Sequence, residues 1–257
     1  MRIPVLAALV LGLSSLAVAQ TPAANTGQAG TAWDYVGPKG PLYWSRLNPA
    51  YKACTDGHEQ SPINIHHALL NKSLKPVQID FMGGPVTLVN TGHAIVAHVL
   101  PGSYIVAGGV RYNLVDFSFH HPSEHSVNGK LYDMEVDFLC RSASGKMVML
   151  AVLLSEASDF PNTTLTMLWR HLPATPGTSE TDNDMVDPSG LIPNEPGYWT
   201  YMGSLPAPPC TEGVRWFIYQ NPVSISQSQL LAFVRLYKSN TRPPQDLHGR
   251  QIEANHQ

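Results

Sequence analysis

The residue types suited to chemistry are concentrated between Leu114 and Cys140, where hydroxyl, imidazole and carboxylate groups recur at every second position. Such groups bind metal ions and transfer protons when they converge. The alternation predicts two β-strands joined at Asn128-Gly129, a dipeptide typical of tight hairpin turns. Each strand then has one polar face. These faces carry Asp116, Ser118 and His120 in the first strand and Asp133, Glu135 and Asp137 in the second. The pattern fits either a solvated sheet face or a polar cavity over a sheet.

The elements that position these strands are predicted to be mostly β. Short alternating runs bounded by Gly, Pro or Asn predict an antiparallel sheet, and they lie at 77–81, 86–90, 95–99, 103–106, 198–201 and 214–219. The apolar run Met147 to Leu154 predicts a strand buried on both faces. Helical spacing predicts a helix over 226–237 with Ser226 as its N-cap, and a shorter one over 165–172. The polar stretch 175–196 is predicted to be a long surface connection.

Composition indicates one large domain, which we place at 33–257. The chain has 257 residues, is 43% apolar, and contains 22 Pro and 20 Gly, which favour many turns. A net charge of −3 argues against a nucleic-acid partner, since such proteins usually carry a basic surface. Residues 20–32 lack periodicity and are predicted to form a flexible N-terminus.

The first nineteen residues are predicted to be a cleavable signal peptide. Arg2 precedes an apolar run, and Ala17-Val18-Ala19 is a small-x-small cleavage site, so the protein is expected to be secreted or periplasmic, with no membrane span. Export permits disulfides, and the chain has three cysteines. Loop-like surroundings favour pairing Cys54 with Cys210 and leaving Cys140 as a buried thiol, although other pairings remain open.

Five motifs together resemble the α-class carbonic anhydrases, over about Trp33 to Ile252. They are QSPINI at 60–65, NTGH at 90–93, PSEHSVNGKLYDME at 122–135, YWTYMGSL at 198–205 and PPCTEGVRW at 208–216. The resemblance implies a single domain built on a large, twisted, mainly antiparallel sheet, with short peripheral helices and an active-site cone on one face. Bacterial members often tie a cysteine before the first motif to one after the last Pro-Pro, which supports the Cys54–Cys210 pairing.

The resemblance also implies a zinc site, and its ligand positions are altered here. Family members hold zinc with three histidines, which make the bound water a nucleophile at neutral pH. The matching positions are Ser118, His120 and Asp137, so one histidine is retained. Asp137 could still bind zinc, but a hydroxyl such as that of Ser118 is not a usual zinc ligand. His121 is adjacent, yet alternation turns it to the opposite face.

A second departure affects the hydroxide-orienting threonine of the family, whose position is occupied by Pro206. Proline lacks both the hydroxyl and the backbone N–H, which leaves Glu124, the matching partner of that threonine, without its contact. Losing such an oriented group typically costs about 100- to 1,000-fold in rate. His93 matches the proton-shuttle histidine, and Glu135 matches the glutamate that orients a ligand histidine. A buried Glu135 beside Asp137 would force one of them to hold its proton.

These observations favour a secreted carbonic-anhydrase-like protein with lost or impaired CO₂ hydration, in which zinc is absent or weakly bound. Its role would then be to bind an extracellular or periplasmic partner or small ligand, or to serve as a structural protein. The alternative is a zinc-dependent carbonate dehydratase or weak esterase with a rebuilt site around His120 and Asp137. A third hypothesis is an acidic, cation-binding pocket formed by Asp116, Glu124, Glu135 and Asp137.

Overall fold

The computed structural model describes residues 32–157 and 159–256. The predicted signal peptide at 1–19 and the predicted flexible segment at 20–32 lie outside these residues, except for Ala32. The α-helices are α1 (Trp44–Leu47), α2 (Ala53–Asp56), α3 (Thr163–Trp169) and α4 (Gln227–Val234). Short 3-10 turns lie at Gly37–Lys39, Pro41–Tyr43, Pro49–Tyr51 and Pro188–Leu191. No helix in the described part of the chain is long and apolar enough to cross a bilayer.

Strands dominate the fold, as the sequence predicts. Strands β1 to β6 are Asn64–Ile65, Leu69–Leu70, Gln78–Asp80, Gly84–Asn90, Ile95–Val99 and Tyr104–Ala107. Strands β7 to β11 are Val110–His120, Ser126–Val127, Lys130–Leu131, Met134–Arg141 and Met147–Glu156. Strands β12 to β16 are Ser179–Val186, Tyr198–Ser204, Glu212–Tyr219, Val223–Ile225 and Glu253–Ala254.

One large mixed sheet organises the molecule. Its strand order is β12-β4-β5-β7-β10-β11-β14-β13-β16-β2, with β3 on β6, β6 on β7 and β15 on β11. Most pairings are antiparallel, whereas β11 runs parallel to β14 and β15, and β16 runs parallel to β2. A small second sheet has the order β1-β8-β9. Strand β11 lies between β10 and β14, and every residue from Val148 to Leu154 is buried, which confirms the prediction of a doubly covered strand.

The pairing of β7 with β10 separates a polar face from an apolar one. Phe117 lies opposite Phe138, and Phe119 lies opposite Val136. These four side chains belong to the main hydrophobic core, against which Leu165 of α3 and Phe233 of α4 also pack. The polar residues of the two strands are thereby turned to the other side of the sheet, as alternation predicts.

Two sequence predictions require correction. The turn at Asn128-Gly129, with φ angles of 50° and 79°, joins β8 to β9 rather than β7 to β10, because these short strands intervene. The predicted surface connection at 175–196 contains the edge strand β12, which pairs with β4. Its sequence is polar because most of its side chains face solvent, with Asp182 and Val186 as the buried exceptions.

The helix and cysteine predictions agree with the structure. Ser226 caps α4 and forms a capping box with Gln229, although the helix ends at Val234 rather than at 237. Cys54 and Cys210 form a disulfide, and Cys140 is a buried free thiol. Burial, with a smaller contribution from the charge of Asp116, raises the pKa of the Cys140 thiol to about 12.

Candidate functional site

The polar faces of β7 and β10 meet in a buried cluster. The strand register places Ser118 opposite Asp137 and His120 opposite Glu135. The Ser118 hydroxyl oxygen lies 3.0 Å from His120 Nε2, and Asp137 Oδ2 lies 4.0 Å from the same nitrogen. The side chains of His120 and Asp137 are buried, and that of Ser118 is half-buried. The register therefore brings the three predicted ligand positions together.

The imidazole of His120 is held in one tautomer by the backbone. Its Nδ1 lies 3.0 Å from the carbonyl oxygen of Asn240, which can only accept, so Nδ1 carries the hydrogen. The other nitrogen, Nε2, then accepts a hydrogen bond from the hydroxyl of Ser118. Burial lowers the pKa of His120 and keeps the ring neutral. The lone pair that a metal ion would require is already directed at a hydroxyl.

Glu124 lies closer to this cluster than its sequence position predicts. Its side chain is fully buried, and Oε1 lies 3.8 Å from His120 Nδ1. The backbone N–H of Arg242 donates to Oε1 at 3.4 Å, whereas Oε2 has no hydrogen-bond partner among the described residues. His120, Glu124 and Asp137 each offer one ligand atom, and these atoms lie within 4.8 Å of one another. The sequence assigns Glu124 to the threonine contact and to the hypothetical acidic pocket. It does not place Glu124 beside His120, because the path of the loop after β7 is not encoded in the alternation.

Burial and neighbouring groups shift the pKa values of the three acids in different directions. Burial raises the pKa of Asp137 well above its usual range, and the negative charges of Glu135 and Glu124 raise it further. Burial, followed by the charge of Glu135, raises the pKa of Glu124 to about 8. Although burial alone would raise the pKa of Glu135, the charge and hydrogen bonds of His125 lower it. Of the three acids, Glu135 is therefore the one whose pKa is lowered, whereas the pKa values of Asp137 and Glu124 are raised.

Neither carboxyl oxygen of Asp137 has a hydrogen-bond partner among the described residues. Buried polar atoms in folded proteins are nearly always paired, so each exception calls for an explanation. With Glu124 Oε2, these oxygens form a group of buried acceptors that lack a hydrogen-bond partner among the described residues and lie beside the carboxylate of Glu135.

Glu135 holds a histidine that the sequence analysis did not single out. Its Oε1 lies 2.7 Å from His125 Nδ1, and its Oε2 accepts the backbone N–H of His125 at 2.8 Å. The hydrogen bonds continue from His125 Nε2 to the hydroxyl of Tyr201, and from there to that of Ser61, each at 2.8 Å. All four residues are buried. The polar chain links β10 to β13 behind the cluster.

The histidine predicted to shuttle protons is packed against an aromatic ring. The ring of His93 stacks on Trp33 with centroids 3.8 Å apart. Its Nε2 donates to the backbone carbonyl oxygen of Trp33 at 2.9 Å, because a carbonyl oxygen can only accept. His93 is half-buried in this position. The ring of His93 and its Nε2 are thus both in contact with Trp33, near the start of the described chain.

The remaining predicted residues fall at the margin of the cluster or outside it. Pro206 is buried just after β13 and brings neither a hydroxyl nor an N–H. His121 turns away, with Nδ1 2.7 Å from the carbonyl oxygen of Asp133, as alternation predicts. Burial raises the pKa of Asp116, and the charges of His98 and Arg141 lower it in part. Asp116 is not among the described residues whose ligand atoms converge with those of His120.

Comparison with known proteins gives the family to which this fold belongs. A family model described as eukaryotic-type carbonic anhydrase matches residues 39–256. The chain belongs to the α-class carbonic anhydrases. A carbonic anhydrase of Pectobacterium carotovorum is 35% identical over 86% of this chain and 89% of that protein. The α-carbonic anhydrase of Thermovibrio ammonificans, solved with the inhibitor sulfanilamide, superposes with a TM-score of 0.84 at 37% identity, covering 88% of this chain and all of that one.

A second kind of relative is also similar. The structure of dioscorin complexed with ascorbate has a TM-score of 0.80 and 27% identity, covering 88% of this chain and 98% of that one. The carbonic anhydrase fold of this chain is therefore shared with enzymes and with a protein of another name that holds a small organic molecule.

Proposed function

We propose that this chain is an exported carbonic-anhydrase-like protein that has lost, or retains only weakly, the hydration of CO₂, and that it acts as a binding or structural protein. The observation that carries this proposal is the Ser118 hydroxyl hydrogen-bonded at 3.0 Å to His120 Nε2. A catalytic zinc takes three protein ligands and keeps one position for water. Ser118 supplies a hydroxyl where family members supply an imidazole.

The residues present do not fit the zinc of the family. Zinc in proteins is bound by thiolate, imidazole or carboxylate groups, and the hydroxyl of Ser118 is none of these. The hydrogen bond from that hydroxyl also occupies His120 Nε2, the nitrogen that a metal ion would need.

The surroundings support the same proposal independently of the metal. Pro206 cannot orient a hydroxide, and Glu124 Oε2 has no hydrogen-bond partner among the described residues. The stacked and hydrogen-bonded His93 would have to leave Trp33 before it could carry a proton. A binding role is supported by the similarity to dioscorin, whose structure contains ascorbate.

Export is supported by the disulfide between Cys54 and Cys210, since such bonds persist in oxidising compartments. The apolar N-terminal segment ending at Ala17-Val18-Ala19 supports it as well.

One specific observation favours the alternative, a zinc-dependent carbonate dehydratase or weak esterase. The ligand atoms of His120, Glu124 and Asp137 lie within 4.8 Å of one another. These residues are three in number, and a catalytic zinc requires three protein ligands. Two carboxylates would add negative charge at the metal and make its bound water less acidic than in a three-histidine site.

Elemental analysis of the purified protein, with CO₂ hydration measured by stopped flow, separates the two functions. We expect zinc well below one atom per chain and a hydration rate equal to that of buffer. Stoichiometric zinc with turnover far above buffer would contradict the proposal. In that case Glu124→Gln should reduce the zinc content, while Glu180→Gln on the exposed edge strand should not.

Restoration provides the converse test. The triple variant Ser118→His, Asp137→His and Pro206→Thr should bind one zinc per chain and gain CO₂ hydration, because the scaffold and Glu135 are retained. A triple variant that folds but remains free of metal would show that positions 118, 120 and 137 are not the zinc-ligand positions of this chain.

A further inference from the structure

A cavity of about 580 Å³ lies on the opposite face of the sheet from the His120 cluster. Tyr201 of β13 faces the cluster through its bond to His125, so its neighbours Thr200 and Met202 face the other way. Both of these residues line the cavity. In the strand register, Arg215 of β14 lies opposite Met202, and Phe217 lies opposite Thr200. The cavity is therefore separate from the site described above.

The cavity has an apolar base. Tyr198, Phe217 and Val148 line it and belong to the main core. Leu74 and Tyr112, which are partly buried against that core, also line it. A base of aromatic and aliphatic groups favours the apolar body of a ligand.

The rim of the cavity is positively charged. Lys75, Lys146 and Arg215 line it, against one acid, Glu253, whose carboxylate accepts a hydrogen bond from Asn71. Arg215 is half-buried, and its guanidinium has no hydrogen bond or ion pair with any residue the structure describes. A guanidinium offers five N–H donors suited to a carboxylate, and a partly buried one interacts more strongly than one in open solvent.

A second polar group at the cavity also has no partner. The hydroxyl oxygen of Thr200 is buried and forms no hydrogen bond within the described chain. The chain's own N-terminus does not match the charge of the cavity, because residues 1–31 contain no Asp or Glu. The excess of cations at the rim is complementary to an anion from outside the chain.

We propose that this cavity, lined by Arg215, Lys146 and Phe217 among others, binds a small amphipathic organic anion, a carboxylate carried on an apolar body. Arg215 and Lys146 pair with the carboxylate, and the body lies on Phe217, Tyr198 and Val148. The volume is within the range of about 300–1,000 Å³ that is typical of small-molecule sites. Binding here does not depend on whether the other face of the sheet hydrates CO₂.

Calorimetric titration of the full mature chain tests the proposal with three probes of equal chain length: octanoate, octanol and octylammonium. We expect saturable binding with affinity decreasing from octanoate to octanol to octylammonium. The negative carboxylate is attracted to the positively charged rim, and the positive ammonium is repelled by it. Arg215→Met keeps the apolar stem and should weaken octanoate binding about tenfold, the equivalent of one modest charge pair. Arg235→Met, at the exposed end of α4, is the matched control and should leave binding unchanged.

A second variant and a check of folding distinguish loss of the binding site from loss of the fold. Lys146→Glu changes an exposed side chain, so it should fold normally and still weaken octanoate binding. Near-ultraviolet circular dichroism checks the fold of every variant. The proposal is wrong if octanoate does not bind saturably, if octylammonium binds equally well, or if the Arg215 and Arg235 variants bind alike.

Discussion

A proline at position 206 removes two functional groups at once, which gives this residue more weight than an ordinary substitution. Proline supplies neither the hydroxyl nor the backbone N–H of the family's threonine. Glu124, which would accept from that hydroxyl, instead holds its own proton in a buried setting, with its pKa raised to about 8. By resemblance to the family, the changes at positions 118 and 137 would affect metal binding, whereas the change at 206 would affect the orientation of a metal-bound hydroxide.

These two effects can be separated by comparing two restored variants. Ser118→His with Asp137→His should bind zinc, and adding Pro206→Thr should raise the CO₂ hydration rate by a further ~100- to 1,000-fold, the usual effect of one oriented donor. Zinc content serves as the control and should be equal in both variants. Equal hydration rates at equal zinc content would mean that position 206 has no part in the reaction.

At the scale of elements, the segment after α4 holds the end of β7 in place. The side-chain amide of Asn240 donates to the carbonyl oxygens of Phe119 and His93, at 3.0 and 3.1 Å. Its Oδ1 accepts the backbone N–H of His121 at 2.8 Å. The residue is completely buried, so water does not replace these bonds. One side chain thus joins the cluster strand to the segment that holds His93.

Asn240→Ala should therefore reduce stability markedly. Each buried backbone group left unpaired costs about 1–3 kcal/mol, so we expect a loss of roughly 3 kcal/mol in the free energy of unfolding, measured by urea denaturation. Asn194→Ala, at an exposed site, is the control and should change it by less than about 0.5 kcal/mol. A loss as small as that of the control would contradict the role assigned to Asn240.

At the scale of the whole molecule, the disulfide fixes a small satellite core to the sheet. Cys54 of α2 and Cys210 are 156 residues apart in sequence and pack with the buried Trp44. The guanidinium of Arg242 donates to the carbonyl oxygen of Cys54 at 2.7 Å and to that of Ser61 at 2.8 Å. The partly buried Trp33, which stacks on His93, packs against the same satellite core.

Removing the Cys54–Cys210 disulfide should lower the stability of the whole domain. Cys54→Ser with Cys210→Ser is expected to lower the free energy of unfolding by about 2–5 kcal/mol, the usual cost of losing a native disulfide. Dithiothreitol should lower the melting temperature of the parent protein and leave that of the double variant unchanged. A parent protein insensitive to the reductant under conditions that reduce the bond would contradict this expectation.

Local patterns in the sequence determined much of the architecture. Alternation alone assigned the faces of β7 and β10, because successive side chains in a strand must point to opposite sides. The run from Val148 to Leu154 was recognisable as a doubly buried strand for the same local reason. Strand β12 was missed because an edge strand exposed to solvent has a composition that resembles a loop.

Tertiary structure decided what the buried groups do. Glu124 approaches His120, and Arg215 shares a cavity with Lys75 and Thr200, through folding of segments that are distant or irregular in sequence. The raised pKa values of Asp137 and Glu124 depend on complete burial beside Glu135, and burial is a property of the packed molecule. The local sequence therefore determines which side chains lie on each face of a strand. Packing determines the distances between them and their pKa values, because both depend on neighbours that only the folded chain brings together.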